Sequence, residues 1–270
     1  MKSTVRPKQQ GKEYLQAAKA IEKADPGMLA AALLDGADAN HRFDDGETLL
    51  HRACAPDIPV IVKMLLEKRA DVNTKTPSGE TPAYIAAENG RSGTLIVLAG
   101  AGADFNIPSE DGEFPIHRAA REGHASTIAT LLSYGAKIDA QTEEGETPLH
   151  VCVSRGQVAC IKSLIEHGAP IEAQDHDGDT PLIRAVQGGD VQTAKVLLEK
   201  GASVNARDNQ GRTPLIWAAT KSNSPALINL LLQHGADMSI TDKTDHTALS
   251  RARLVEHKAA EKALLAAIKK

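Results

Sequence analysis

Apolar residues along this chain fall into short paired clusters, each with the spacing of one helix face. In Leu215-Ile216-Trp217-Ala218-Ala219, residues Leu215, Ala218 and Ala219 lie three and four apart and share a face. Trp217, two residues on from Leu215 and so about 200° around the helix, points the other way. A second cluster follows and carries a Leu-Leu pair: Leu65-Leu66, Leu131-Leu132, Leu197-Leu198 and Leu231-Leu232. Polar segments rich in Asn, Asp and Gly, such as the one from Val204 to Gly211, separate the paired clusters and predict hairpin-like turns. Each unit reads as two antiparallel helices and a turn.

The units recur. Gly46, Gly79, Gly112, Gly145, Gly178 and Gly211 stand 33 residues apart. A second ladder keeps the same spacing from Gly36-Ala37 through Arg69-Ala70 to Gly201-Ala202, and Gly235-Ala236 follows after 34. Thr81-Pro82, Thr147-Pro148, Thr180-Pro181 and Thr213-Pro214 each place a capping threonine before a proline, which fills the first helical position without wasting a donor. Gly90, Gly123, Gly156 and Gly189 end the first helix, and the Gly of Gly-Ala closes the second as a left-handed cap. No unit buries its apolar stripe alone, so neighbouring units must stack.

A 33-residue period carrying T-P-L-H (Thr147 to His150), then Gly, then L-L-x-x-G-A-D-x-N closely resembles the ankyrin repeat. The resemblance covers about residues 13 to 265 and implies an all-α solenoid of helix-turn-helix pairs with protruding β-hairpin-like turns. After a polar tail (1–12), it divides one domain at 13–270. An N-terminal cap (13–45) leads to full repeats at 46–78, 79–111, 112–144, 145–177, 178–210 and 211–244, then a C-terminal cap (245–270). The caps depart from the motif, with Leu15-Gln16-Ala17-Ala18 and Thr247-Ala248-Leu249-Ser250 in its place. Leu49, Ala83-Tyr84 and Phe114 also interrupt it, Arg69 occupies a left-handed cap position, and one extra residue sits within Lys221 to Pro225.

Composition agrees with stacked helices. Three Phe, three Tyr and one Trp leave the apolar share to Ala, Leu, Ile and Val. A net charge of −4 gives no positive field for nucleic acid. Cys54, Cys152 and Cys160 form no C-x-x-C pair and suit a reducing compartment, so the expected location is cytoplasmic, with the nucleus as the alternative. No run reaches the roughly 18 apolar residues that a membrane span needs, and residues 1 to 11 lack the apolar core of a secretory signal.

The resemblance implies a non-enzymatic scaffold, an adaptor or inhibitor that binds a partner protein through its concave groove and hairpin tips. The outward slot of the first helix reads Arg52, Ile85, Arg118, Val151, Arg184, Trp217 and Arg251, and ankyrin proteins turn that helix toward the groove. Arg and Trp are the types most enriched at interface hot spots. Three of these arginines also stand five residues after an acid (Glu47, Glu113, Asp179) that could pair with them. At the turn tips Asp44, Asp45, Glu110, Asp111, Glu143, Glu144 and Asp177 are acidic, with Glu47, Glu113, Glu146, Asp175 and Asp179 beside them, while Arg207, Arg212 and Lys243 reverse the sign. The expected partner is a protein segment with basic and acidic features, met by a monomer. A structural, self-associating subunit is the alternative.

The residues support no catalytic, cofactor or metal site. His51, His117 and His150 repeat in one slot, where the resemblance implies an imidazole bridging neighbouring backbones. Asp175 to Asp179 resembles a calcium loop, but the required twelfth-position Glu is Val186. Gly100 to Ala103 is a helix cap with no strand before it, and the run from Lys258 to Lys270 reads as a capping helix.

Overall fold

The computed structural model describes residues 12–268, so the polar tail before Lys12 and the last two lysines lie outside the described residues. The chain divides into two compact units, one ending at Lys137 and one beginning at Ile138.

The first unit holds four helix pairs: α1 (Lys12–Glu22) with α2 (Pro26–Leu34), α3 (Leu49–Cys54) with α4 (Pro59–Glu67), α5 (Pro82–Glu88) with α6 (Ser92–Gly100), and α7 (Pro115–Glu122) with α8 (Ala125–Ser133). First helices pack on first helices and second on second, forming two rows. Leu49, Ile61, Leu65, Leu95, Leu98 and Ile116 fill the space between the rows and are fully buried. Each such side chain contributes roughly 1.5–3 kcal/mol relative to exposure.

The second unit repeats the arrangement. It comprises α9 (Pro148–Ser154) with α10 (Val158–Glu166), α11 (Pro181–Gln187) with α12 (Val191–Glu199), α13 (Pro214–Trp217) with α14 (Pro225–Gln233), and α15 (Ala248–Leu254) with α16 (Lys258–Ile268). The extra residue found in the sequence is absorbed just after Trp217, where Ala218–Ser222 continues α13 as a π-helical turn. Asn223 closes it with a φ of 42° in the slot that Gly189 fills one repeat earlier.

The recurring residues have recurring jobs. Thr81, Thr180 and Thr213 cap their helices by accepting the N–H three residues on, and the proline between them has no donor to lose. His51 and His150 do what the resemblance implies. Each accepts at Nδ1 from the N–H of its capping threonine, and Nε2 faces the Glu80 or Asp179 carbonyl of the next repeat at 3.1 and 3.0 Å. Burial lowers both imidazole pKa values, which favours the neutral form this bridge requires.

The turns close as hairpins, with Asp208 N–H on Arg212 O at 3.1 Å and Gly211 N–H on Asp208 O at 2.8 Å. Among the described residues the one bridge of strand type joins Arg42 to Thr48. Gly79 shows why glycine recurs there. Its φ is 77°, and a Cβ would meet the Glu110 backbone nitrogen at 2.7 Å. Arg69 takes a φ of 63° without that freedom. All three cysteines are buried and none is in a disulfide; burial raises the Cys54 thiol pKa, whereas the Cys152 thiol beside it lowers that of Cys160.

Candidate interaction face

In the first unit the exposed side of the first-helix row carries Arg52. Its Nε donates to Glu47 at 3.1 Å, a terminal nitrogen donates to Asp45 at 2.6 Å, and the guanidinium lies 3.8 Å over the Phe43 ring. Arg118 bonds the Glu88 carboxylate through Nε at 3.1 Å and reaches Glu122 at 3.8 Å. The acid five residues before it, Glu113, instead bonds Arg121 and accepts the Tyr84 hydroxyl at 3.3 Å. Burial and the Glu113 charge push the Tyr84 phenol up to about 12.

Ile85 does not stand open on this row. It is 8 % exposed, because α5 is packed on both sides by α3 and α7.

In the second unit Val151 is closed off as well, at 2 % exposure, and its helix α9 packs against α11. The open positions are Arg184, Trp217 and Arg251, and each is held by a carboxylate nine residues earlier. Asp175 takes the Arg184 Nε at 2.7 Å, Asp208 the Trp217 indole N–H at 2.9 Å, and Asp242 the Arg251 Nε at 2.6 Å. These three aspartates are buried inside their turns. The other oxygen of each accepts the N–H groups two and four residues on: Asp177 and Asp179, Gln210 and Arg212, Thr244 and His246. One carboxylate thus folds the turn and aims the surface residue.

Where the outward residue is aliphatic, the turn position nine before it is Thr76 (for Ile85) or Thr142 (for Val151). These hydroxyls accept turn N–H groups (Glu80, and Glu144 with Glu146) but bring no charge. A buried carboxylate without a cation or N–H to face would be costly; at Arg52 and Arg118 the position nine before is Phe43 or Ser109, and the carboxylates come from Glu47 with Asp45 and from Glu88 instead.

Trp217 is half-buried, with Arg212 3.9 Å over its ring and Lys221 at 5.8 Å. Arg212 bonds the same Asp208 oxygen at 2.7 Å. Around Arg184 a cage of carboxylates forms: Asp175, Asp179 at 3.6 Å, Asp177 at 3.7 Å and Glu146 at 4.0 Å. Asp175, Asp177 and Asp179 lie close enough to share an ion. The Arg184 guanidinium lies within 3.7 Å of all three and supplies positive charge to the cluster. Burial pushes the Asp179 carboxyl up to about 6, against the pull of Gln187 and Arg184.

The acidic tips divide. Asp44, Asp45, Glu110, Asp111, Glu143, Glu144 and Asp177 are exposed, whereas Asp175 and Asp179 belong to the interior. Sequence reasoning placed the arginines and Trp217 on one slot but missed the nine-residue anchor. The 33- and 34-residue recurrence of Asp175, Asp208 and Asp242 was the signal available.

A sequence profile described as ankyrin repeats (three copies) matches residues 16–109, 93–175, 116–208 and 169–242. The chain therefore belongs to the ankyrin-repeat family, whose domains are interaction modules for other proteins and typically carry no catalysis. Among solved structures it is similar to the human ASB11 ankyrin repeat domain, at 30 % identity and a TM-score of 0.70 over 81 % of this chain and 97 % of that one. It is also similar to the ankyrin repeat domain of Bcl-3, a member of the IkappaB protein family. That match has 27 % identity and a TM-score of 0.75 over 82 % of this chain and 100 % of that one. No curated protein sequence matches the chain. No helix among the described residues is long and apolar enough to cross a membrane.

Proposed function

We propose that the chain is a protein-binding scaffold, an adaptor or inhibitor, which as a monomer grips a partner protein through the exposed first-helix side of each unit, Arg52 and Arg118 in the first and Arg184, Trp217 and Arg251 in the second. The observation that carries this reading is that all five side chains are partly exposed yet fixed by carboxylates. Side chains already held in place lose little freedom on binding, and Arg and Trp are the commonest hot-spot residues. The exposed acidic tips add a second contact zone that would steer basic partner segments and make association salt-sensitive.

Affinity purification from the native host tests this. Wild type should recover a defined partner, and Arg118→Glu, Arg184→Glu and Trp217→Ala should each weaken recovery while the helical spectrum stays intact. Unchanged recovery by all three would remove the face from the binding reading. Light scattering at micromolar concentrations should show a monomer, and a concentration-dependent oligomer would favour self-assembly instead.

A further inference from the structure

A cleft of about 430 Å³ opens in the first unit beside the end of α3. Ile21 of α1, Ile58 at the start of α4 and Ile85 of α5 line it, and Ala55 and Pro56 complete the apolar wall. This is within the size range of about 300–1,000 Å³ typical of pockets that enclose a ligand group. The burial that removes Ile85 from the open row thus makes it part of a cleft wall.

The charge at the mouth is unbalanced. Glu22 and Glu47 line the cleft, and Arg52 is the cation among the lining residues. Arg52 is already engaged by Glu47, by Asp45 and by the Phe43 ring. The Glu22 carboxylate is exposed and has no ion-pair partner among the described residues. Lys19 and Lys23 lie on or beside the same helix but do not line the cleft. An apolar pocket with an unpaired carboxylate at its mouth complements an apolar side chain that has a cation beside it.

We propose that this cleft receives one bulky apolar side chain (Leu, Phe or Trp) of a partner protein segment carrying Lys or Arg within two residues of it, the cation pairing with Glu22. The proposal rests on the protein-binding reading above and adds to it a specific anchor site. Burial of one such side chain is worth roughly one to two powers of ten in affinity, so the cleft would act as an anchor within a longer contact.

The test is selection of a random peptide library displayed against the full chain. Enriched sequences, made as synthetic peptides, are then titrated by fluorescence polarisation. The expected peptides pair Leu, Phe or Trp with a nearby Lys or Arg. Filling the cleft with Ala55→Phe should weaken them by at least about tenfold. Glu22→Lys, at an exposed position that leaves folding intact, should weaken them by about three- to tenfold and reduce their salt dependence.

Four results overturn the cleft: no enrichment, acidic enriched peptides, titrations indifferent to both variants, or a dimer of the chain abolished by Ala55→Phe. Peptides that ignore Ala55→Phe and Glu22→Lys but lose binding with Arg118→Glu or Trp217→Ala would sink this inference and leave the wider reading standing. If, in addition, host partners ignore the face variants, both fail.

Discussion

The Asp208 carboxylate holds the indole N–H of Trp217 at 2.9 Å while its other oxygen ties down two backbone N–H groups of its own turn. Turn and surface residue are therefore one unit. Asp208→Ala would strand the indole, the Arg212 guanidinium and both N–H groups, at about 2–4 kcal/mol in total. Trp217→Phe gives up one hydrogen bond and should cost about 1 kcal/mol. Urea titration measures both. Trp217 is the sole tryptophan, so its emission should shift to longer wavelength in Asp208→Ala. An unshifted spectrum would show that the aspartate does not set the position of the ring.

Asp179 is an acid held above its ordinary value. Its carboxyl titrates near 6 because of burial, and one of its oxygens has no hydrogen-bond partner. An ordinary aspartate titrates near about 3.9, so between those values the folded chain holds a proton that the unfolded chain has lost. This site's contribution to stability thus falls as pH rises from about 4 to 6 and stays low above that. Asp179→Asn should stabilise by roughly 1–3 kcal/mol at pH 7.5 and by nothing at pH 4. Equal gains at both pH values would mean that proton binding is not the cause.

Asp242 is equally buried and behaves the other way. Burial opposes its ionisation, but the Thr244 hydroxyl and N–H, Arg251 and the His246 N–H outweigh it and bring the carboxyl down to about 2. A lowered acid contributes stability above its unfolded pKa, and that contribution is lost as pH falls from about 4 to 2. Asp242→Asn should cost about 1–2.5 kcal/mol at pH 7, and thermal melts should show the cost shrinking toward zero as pH approaches 2. A cost independent of pH would assign it to packing.

Arg69 closes α4 at a φ of 63° in a ladder otherwise kept by glycine. Its carbonyl accepts the Asn40 side chain at 2.9 Å, so the backbone shape is required while the side chain is not. Arg69→Gly should stabilise the first unit by up to about 1 kcal/mol, the strain relieved minus the added freedom of the unfolded chain. A destabilised variant in a denaturant titration would show that the Arg69 side chain contributes contacts.

The repeat was legible because its glycines, capping threonines and first-turn prolines each satisfy a backbone requirement that does not depend on neighbours. Trp217 and the arginines were assigned to one face by helical spacing alone. Ile85 and Val151 escaped that logic because spacing gives a direction, whereas exposure depends on what packs alongside. The anchors escaped it because a turn aspartate that bonds its own N–H groups looks the same in sequence whether or not its second oxygen reaches a tryptophan nine residues away. Proximity in the chain offered Glu113 as one possible partner for Arg118, but the carboxylate it bonds, Glu88, comes from the preceding repeat.

The claim that the anchored row meets a partner is tested most directly at its one tryptophan. With the chain labelled by 5-fluorotryptophan, Trp217 gives a single fluorine resonance, followed while a partner recovered from the host is added. The resonance should shift or broaden in step with complex formation, and Arg184→Glu should move the titration midpoint to higher partner concentration. A complex that forms, by light scattering, while the Trp217 resonance stays unchanged would contradict the claim.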